Sequence, residues 1–243
     1  MLNVGIDIGG TKIAGGVVDE GGAIVERLRV PTPTDTGALA DAVAAMVSDL
    51  SSRHDVGAVG VAAAGYIDRS RSVMLHAPNI DWHDEPLRAQ FEARIGRPVT
   101  LENDANAAGW GEYRFGAGRG STDMVMITLG TGVGGAVIND GRLLIGANGS
   151  AAELGHVRFV RGGRPCGCGQ NGCLEQYASG RALQRELGGN AEAGGLRGGP
   201  APPPRAGGGF PRPRPAPAPP RRGAGGRGAR RGGGGAPAAG RRG

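Results

Sequence analysis

Two hydrophobic periods alternate along the first 140 residues. Val4 to Asp7 and Gly15 to Val18 read as short strands on either side of a glycine turn, within GIDIGGTKIAGGVVDEGG. From Asp35 to Leu50 the period changes, and Leu39, Val43, Met46, Val47 and Leu50 fall on one side of a helix. Val56 to Ala63 is a strand-like apolar run that ends at Gly65. Glu85 to Ile95 predicts a second helix, with Leu87, Phe91 and Ile95 spaced by four. Val99 to Leu101 is a short strand leading into ENDANAA, and Ala105 to Phe115 predicts a third helix.

The opening pattern then returns. Met124 to Leu129 is apolar, GTGVGG is a glycine turn, and Ala136 to Ile138 leads to Asn139-Asp140-Gly141. DIGGTKIAGGVVDEGG and TLGTGVGGAVINDG therefore share one plan of strand, glycine turn, strand and acidic-glycine turn. An imperfect internal duplication of this kind implies two similar α/β lobes, with a cleft lined by both turns. The expected division is a first lobe over 1–118, a partial second lobe over 119–187, and a tail over 188–243.

Composition changes the picture only through that tail. Residues 188–243 are almost entirely Gly, Ala, Pro and Arg, with Leu196 and Phe210 as the only large apolar side chains. Such a segment cannot bury enough surface to offset the entropy of ordering it, so disorder is expected. GC-rich coding DNA read out of frame yields this composition, and so does a genuine low-complexity appendage. The chain carries a formal charge of +6; the tail, with eleven Arg and one Glu, accounts for +10, leaving −4 on residues 1–187. The basic balance thus describes the tail. Phosphate neutralisation by its arginines is chemically available, but it has almost no aromatic side chain to stack on bases, so nucleic acid is not the expected partner. No stretch has the length and apolarity of a membrane span, and MLNVGIDIGG lacks the basic start of a signal peptide. All three cysteines fall in one cluster, leaving none for a disulfide framework; a cytoplasmic location is expected.

That cluster is the most specific chemistry in the sequence. His156, Cys166, Cys168 and Cys173 lie within ELGHVRFVRGGRPCGCGQNGCLEQ. Three thiolates and an imidazole fill tetrahedral Zn²⁺ and leave no position for water, which marks a structural site. Glu153, His156 and Glu175 bracket it and could grip vicinal hydroxyls, the second imidazole nitrogen of His156 being free for a hydrogen bond. In the first turn, Asp7, Gly9, Gly10, Thr11 and Lys12 combine exposed backbone N–H groups, a hydroxyl and the only Lys of the chain, suited to a phosphate. Asp7 could hold Mg²⁺ directly or through water. The spacing fits neither a Walker loop nor a dinucleotide fingerprint, because a strand follows the glycines. Gly130, Thr131, Gly132, Gly134 and Gly135 repeat the cradle in the second turn, and the pair suits a polyphosphate such as ATP. Asp104 is either a helix cap or a base that takes a proton from an alcohol attacking phosphorus. Asn103 beside it, and Asn79 in APNIDW, could bond polyol hydroxyls, although an Asx turn explains Asn79 equally well.

DIGGTK (Asp7–Lys12), APNIDW (Ala77–Trp82), ENDANAA (Glu102–Ala108), LGTGVGG (Leu129–Gly135) and the ELGH…CGCGQNGCLE stretch together resemble the ROK family of repressors, open-reading-frame proteins and sugar kinases. The resemblance runs from residue 4 to about 187 and is nearest to glucokinases of the actinobacterial type. It implies an actin-like (ribonuclease H-like) two-lobed kinase fold and ATP-dependent phosphorylation of a hexose, glucose foremost, with N-acetylmannosamine, fructose or a polyphosphate donor as variants. Asp104 would be the general base. Asn79, Asn103, Glu153, His156 and Glu175 would hold the sugar, and the two glycine turns the phosphates of Mg-ATP. Zn²⁺ would shape the sugar side, and the assembly would be a homodimer or homotetramer. Nothing after about residue 188 continues the family pattern. The second lobe is therefore expected to be incomplete, with exposed sheet edges and weak or absent kinase activity.

Overall fold

The structure, a computed structural model, describes residues 1–77 and 82–187; the tail expectations, and Asn79, fall outside them. The described residues belong to one compact unit of mixed α/β architecture.

β1 (Leu2–Ile8), β2 (Lys12–Val18) and β3 (Ile24–Pro31) form an antiparallel meander, to which β4 (Val56–Ala63) and β8 (Val99–Asn103) add in parallel. The sheet order is β3-β2-β1-β4-β8. Parallel neighbours need a crossover, and α1 (Thr36–Arg53) and α2 (Leu87–Ile95) occur in the two crossover connections. Alternation on β1 buries Val4, Ile6 and Ile8 and leaves Gly5 and Asp7 open. The buried set meets the predicted helical stripe, Leu39, Val43, Met46, Val47 and Leu50, all buried in one core with Phe91 and Leu101. The opposite face of the sheet is only partly covered, with Ala107, Trp110, Gly141 and Arg142 standing across from it. It borders a cavity of about 880 Å³ lined by Gly5, Asp7, Gly16, Gly60 and Glu102 among others.

Between β4 and β8 the chain makes a small sheet from β5 (Tyr66–Ile67), β6 (Met74–His76) and β7 (His83–Glu85). The sequence pattern assigns none of these strands, nor β3, and starts the second helix at Glu85, which instead ends β7. Strands of two or three residues are too short to display a period.

α3 (Asp104–Phe115) follows β8 directly. Then β9 (Met124–Leu129), β10 (Val133–Asn139) and β11 (Arg142–Leu143) repeat the antiparallel meander. The repeat seen in the sequence is thus a repeat of topology. α3 lies so close to β10 that a Cβ at Gly109 would collide with the Cβ of Ala136. Gly109→Val should therefore destabilise the protein by about 1–3 kcal/mol, measurable by urea denaturation, since the two backbones must separate. No helix among the described residues is long and apolar enough to cross a membrane.

Candidate active site

The site begins at the corner where β8 becomes α3. Asn103 caps the helix: its Oδ1 accepts the N–H of Asn106 at 3.0 Å, while its Nδ2 donates to Gly65 O at 3.0 Å and Asp104 Oδ1 at 3.1 Å. The capping role open for Asp104 therefore falls to its neighbour. Asp104 accepts the N–H of Ala105 through Oδ1 at 2.9 Å and is exposed.

A second carboxylate braces this corner. Glu102 Oε1 accepts the N–H of Asn103 at 3.0 Å and Asn106 Nδ2 at 3.1 Å, and its Oε2 pairs with Arg71 Nε at 2.8 Å. Arg71 sits in the left-handed region, φ 56°, in a loop held by Asp68. Burial pushes the Asp68 carboxyl up, but bonds from Ser70 Oγ and from the N–H groups of Val73, Ser72 and Ser70 outweigh it and bring the pKa to about 2. A folded pKa below the unfolded value of about 3.9 stabilises the fold above that value and ceases to as pH falls toward 2. Asp68→Ala should cost about 1–2 kcal/mol at pH 7, after discounting for solvent on its outer side. In denaturation curves the gap between variant and parent should narrow from pH 5 down to about pH 3.

Gly65 lets β5 pass beside the corner. At φ 155° a side chain there would meet Met74 Sδ at 2.6 Å and His76 O at 2.7 Å. Tyr66 follows, stacked on His76, which stacks on His83. Its phenol is pushed up to about 12, by burial first and then by the charges of Glu153, Cys168, Cys166 and Glu175. The phenol thus remains a donor beside the carboxylates.

Four carboxylates share one electrostatic neighbourhood. Asp7, at the end of β1, is raised by partial desolvation and by the charge of Asp104, against the pull of Lys12. Glu153 is raised by burial and by Asp104 and Glu175, against the pull of His156. In the first turn, Gly9 N–H donates to Lys12 O at 3.0 Å, and Gly10, Thr11 and Lys12 are exposed. In the second turn, Gly130 N–H donates to Gly132 O at 3.0 Å, and Val133 N–H donates to Glu175 Oε2 at 2.9 Å. Gly130 O in turn accepts Gly180 N–H at 2.7 Å, where α5 (Gly180–Glu186) starts after the short α4 (Glu175–Ala178). Gly134 and Gly135 lie within β10 and serve close packing: side chains there would meet Ala105 Cβ at 2.9 Å and Ala152 O at 2.8 Å respectively. The open tip of that turn is Gly130 to Gly132.

The ligand atoms of His156, Cys166, Cys168 and Cys173 all lie within 4.8 Å of one another. Cys166 Sγ is 3.5 Å from His156 Nδ1, and Cys168 Sγ is 3.6 Å from Cys173 Sγ. Zn–S bonds of about 2.3 Å and Zn–N bonds of about 2.0 Å in a tetrahedron require edges of about 3.5–3.8 Å, so the donor set fits Zn²⁺. Burial raises both Cys166 and Cys173; bonds from the Cys168 N–H and Gln176 bring Cys166 down to about 7, while the neighbouring sulfurs help hold Cys173 at about 12. Only a cation among them would let all three sulfurs ionise together. Nδ1 of His156 faces the sulfurs, and its Nε2 lies 4.0 Å from Glu153 Oε2. Nδ1 is therefore the nitrogen that a metal at this cluster would meet, a choice the sequence left open.

The structure thus brings together Asp7, Asn103, Asp104, Glu153, His156 and Glu175. Tyr66, Glu102 and Arg71 were missed from the sequence. Only Glu102 carried a signal, as a carboxylate next to the cap, because the other two reach the site through β5 and a left-handed loop.

The described fold matches solved structures of ROK sugar kinases. One is a ROK family glucokinase from Streptomyces griseus in complex with glucose and AMPPNP, with a TM-score of 0.71 and 57% identity; the match covers 76% of this chain and 59% of that one. A glucokinase from Streptomyces coelicolor is 56% identical over 184 residues, which is 76% of this chain and 58% of that protein. An N-acetylmannosamine kinase from Salmonella arizonae is 40% identical over 186 residues, 75% of this chain and 63% of that one. The model of the ROK family matches residues 3–197, and the chain belongs to that family. It spans a little under two thirds of the length of these relatives.

Proposed function

We propose that this chain carries the sugar-binding and proton-accepting part of an ATP-dependent hexose kinase, with glucose as the preferred sugar. The observation that carries the reading is the β8–α3 corner. Asn103 takes the cap, and Asp104, its Oδ1 held by two donors, keeps Oδ2 for a substrate hydroxyl. Glu153, Glu175 and His156 Nε2 add acceptors and a donor, which is what a polyol needs.

In the proposed reaction the 6-hydroxyl oxygen of glucose bonds to the γ-phosphorus of ATP. Its proton passes to Asp104, the bond to the β-phosphate oxygen breaks, and ADP leaves. Thr11, Lys12 and the tip at Gly130–Gly132 would steady the phosphates. Asp7 would hold Mg²⁺, which when bound neutralises charge on the phosphates. Zn²⁺ on His156, Cys166, Cys168 and Cys173 would supply rigidity, fixing His156 and its neighbour Glu153.

A second reading rests on the Cys/His set standing beside Glu153: a zinc-stabilised sugar-binding fragment with little or no turnover. The two separate in one experiment. Purified chain is incubated with Mg-ATP and, in turn, glucose, N-acetylmannosamine and fructose, while ADP release and sugar binding by calorimetry are measured. ADP release that depends on glucose above the other sugars supports the kinase. Glucose binding without ADP supports the fragment. Neither binding nor turnover overturns both.

A further inference from the structure

We infer that Glu102 is a positioning residue for proton transfer: braced by Arg71 and Asn106, it fixes the turn of β8 into α3 that holds the Asp104 carboxylate in place. The inference rests on the phosphoryl transfer proposed above, and adds to it residues that act through Asp104 rather than on sugar or nucleotide.

A continuous row of polar contacts ends on Asp104. Arg71 Nε lies 2.8 Å from Glu102 Oε2. Glu102 Oε1 accepts the N–H of Asn103 at 3.0 Å and Nδ2 of Asn106 at 3.1 Å. Asn103 Nδ2 then donates to Asp104 Oδ1 at 3.1 Å, and the same oxygen takes the Ala105 N–H. With Oδ1 committed twice, a shift of the Asn103 backbone becomes a shift of Oδ2. Glu102 holds that backbone at the end of β8 and holds Asn106 in the first turn of α3. One carboxylate thus ties the strand to the helix.

Stability alone does not account for this arrangement. The Glu102 side chain is 14% exposed, and a buried ion pair is often no more stabilising than apolar side chains of the same volume. Arg71 reaches it from a left-handed backbone, φ 56°, which disfavours any side chain with a Cβ. Asn106 is 3% exposed, and its Nδ2 must face Glu102 because a carboxylate only accepts. Its Oδ1 is left with no hydrogen-bond partner among the described residues. A buried acceptor without a donor is destabilising. All three features stand on one corner, next to the proposed proton acceptor. Departures from local stability rules gather where geometry serves function. Here that function is the placement of Asp104.

The test uses the full chain with saturating Mg-ATP, and measures kcat, the KM for glucose and urea denaturation. Asn106→Leu keeps the branching at Cγ and removes the orphaned oxygen. It should denature at a urea concentration equal to or above that of the parent. Yet its kcat should fall about 10–10²-fold, the effect of slightly misplacing a reacting group. KM should change by less than about twofold, because Glu153, His156 and Glu175 are untouched. Glu102→Gln keeps an oxygen for Asn103 and Asn106 but sets an amide NH₂ against Arg71. It should lower kcat by a similar factor, again with KM close to that of the parent. Adding Arg71→Met to Glu102→Gln should slow the enzyme no further, because Arg71 acts through Glu102. Parent-like kcat in both Asn106→Leu and Glu102→Gln overturns the inference and leaves the transfer reading standing. Variants that lose stability, kcat and glucose affinity together also overturn it, since that is the mark of a purely structural brace. A parent chain without glucose-dependent ADP formation overturns the transfer reading itself, and this inference with it.

Discussion

Replacing Asp104 by Asn should lower glucose-dependent ADP formation by about 10²–10⁴-fold, the usual worth of a positioned general base. The isosteric amide keeps an oxygen for the Ala105 N–H and for Asn103 Nδ2, so the corner and its helix cap should survive. What is lost is the ability to take a proton. The expected signature is therefore a fall in kcat, with glucose affinity close to that of the parent, because Asn103, Glu153, His156 and Glu175 still hold the sugar. Asp140→Asn is a matched control: Asp140 is exposed in the β10–β11 turn at φ 50°, a conformation Asn accepts readily. Full activity in Asp104→Asn would remove this carboxylate from the mechanism, whatever the status of the other residues.

The second large effect is expected from the Cys/His cluster. Purified protein should contain one zinc per chain by elemental analysis, and Cys173→Ser should contain none. Cys173 is fully buried, its backbone forms a β-bridge with Arg158, and its sulfur lies 3.6 Å from Cys168 Sγ, so it sits where both walls of the 156–176 loop meet the cluster. A structural zinc contributes its binding energy to folding. A loss of about 3 kcal/mol would lower Tm by roughly 6–12 °C for a domain of this size. Glucose affinity should fall at least about tenfold, ~1.4 kcal/mol, because Glu153 and Glu175 flank the loop in sequence and keep their places through it. Parent protein devoid of zinc, or a variant that retains it, would refute the assignment.

Much of this was legible before any coordinates. The stripe Leu39, Val43, Met46, Val47 and Leu50 is buried as its spacing required, and the duplicated glycine pattern became two meanders of one topology. That His156, Cys166, Cys168 and Cys173 would converge was readable because three cysteines and a histidine in one short run, with glycines between them, suit a tetrahedral metal cage. β3 escaped because its inward row, Glu26, Leu28 and Val30, is only half-buried and begins with a charge, while Arg27 and Arg29 face out, as an edge strand allows. The glycines of the second turn read alike in sequence. Yet Gly134 and Gly135 proved to be places where α3 and the segment around Ala152 press on β10.

Residues close together in the chain were enough to set the local periods, the Cys/His donor set, and the presence of an acid beside a helix start. Folding was needed before Asn103 could relieve Asp104 of capping, before Nδ1 of His156 could face the sulfurs, and before Glu102, Arg71 and Tyr66 could stand around the site. Such outcomes depend on which backbones meet across 30 to 110 residues of chain, and on which carboxylates share one desolvated neighbourhood. No spacing along a sequence encodes that meeting; packing of the sheets and α3 does.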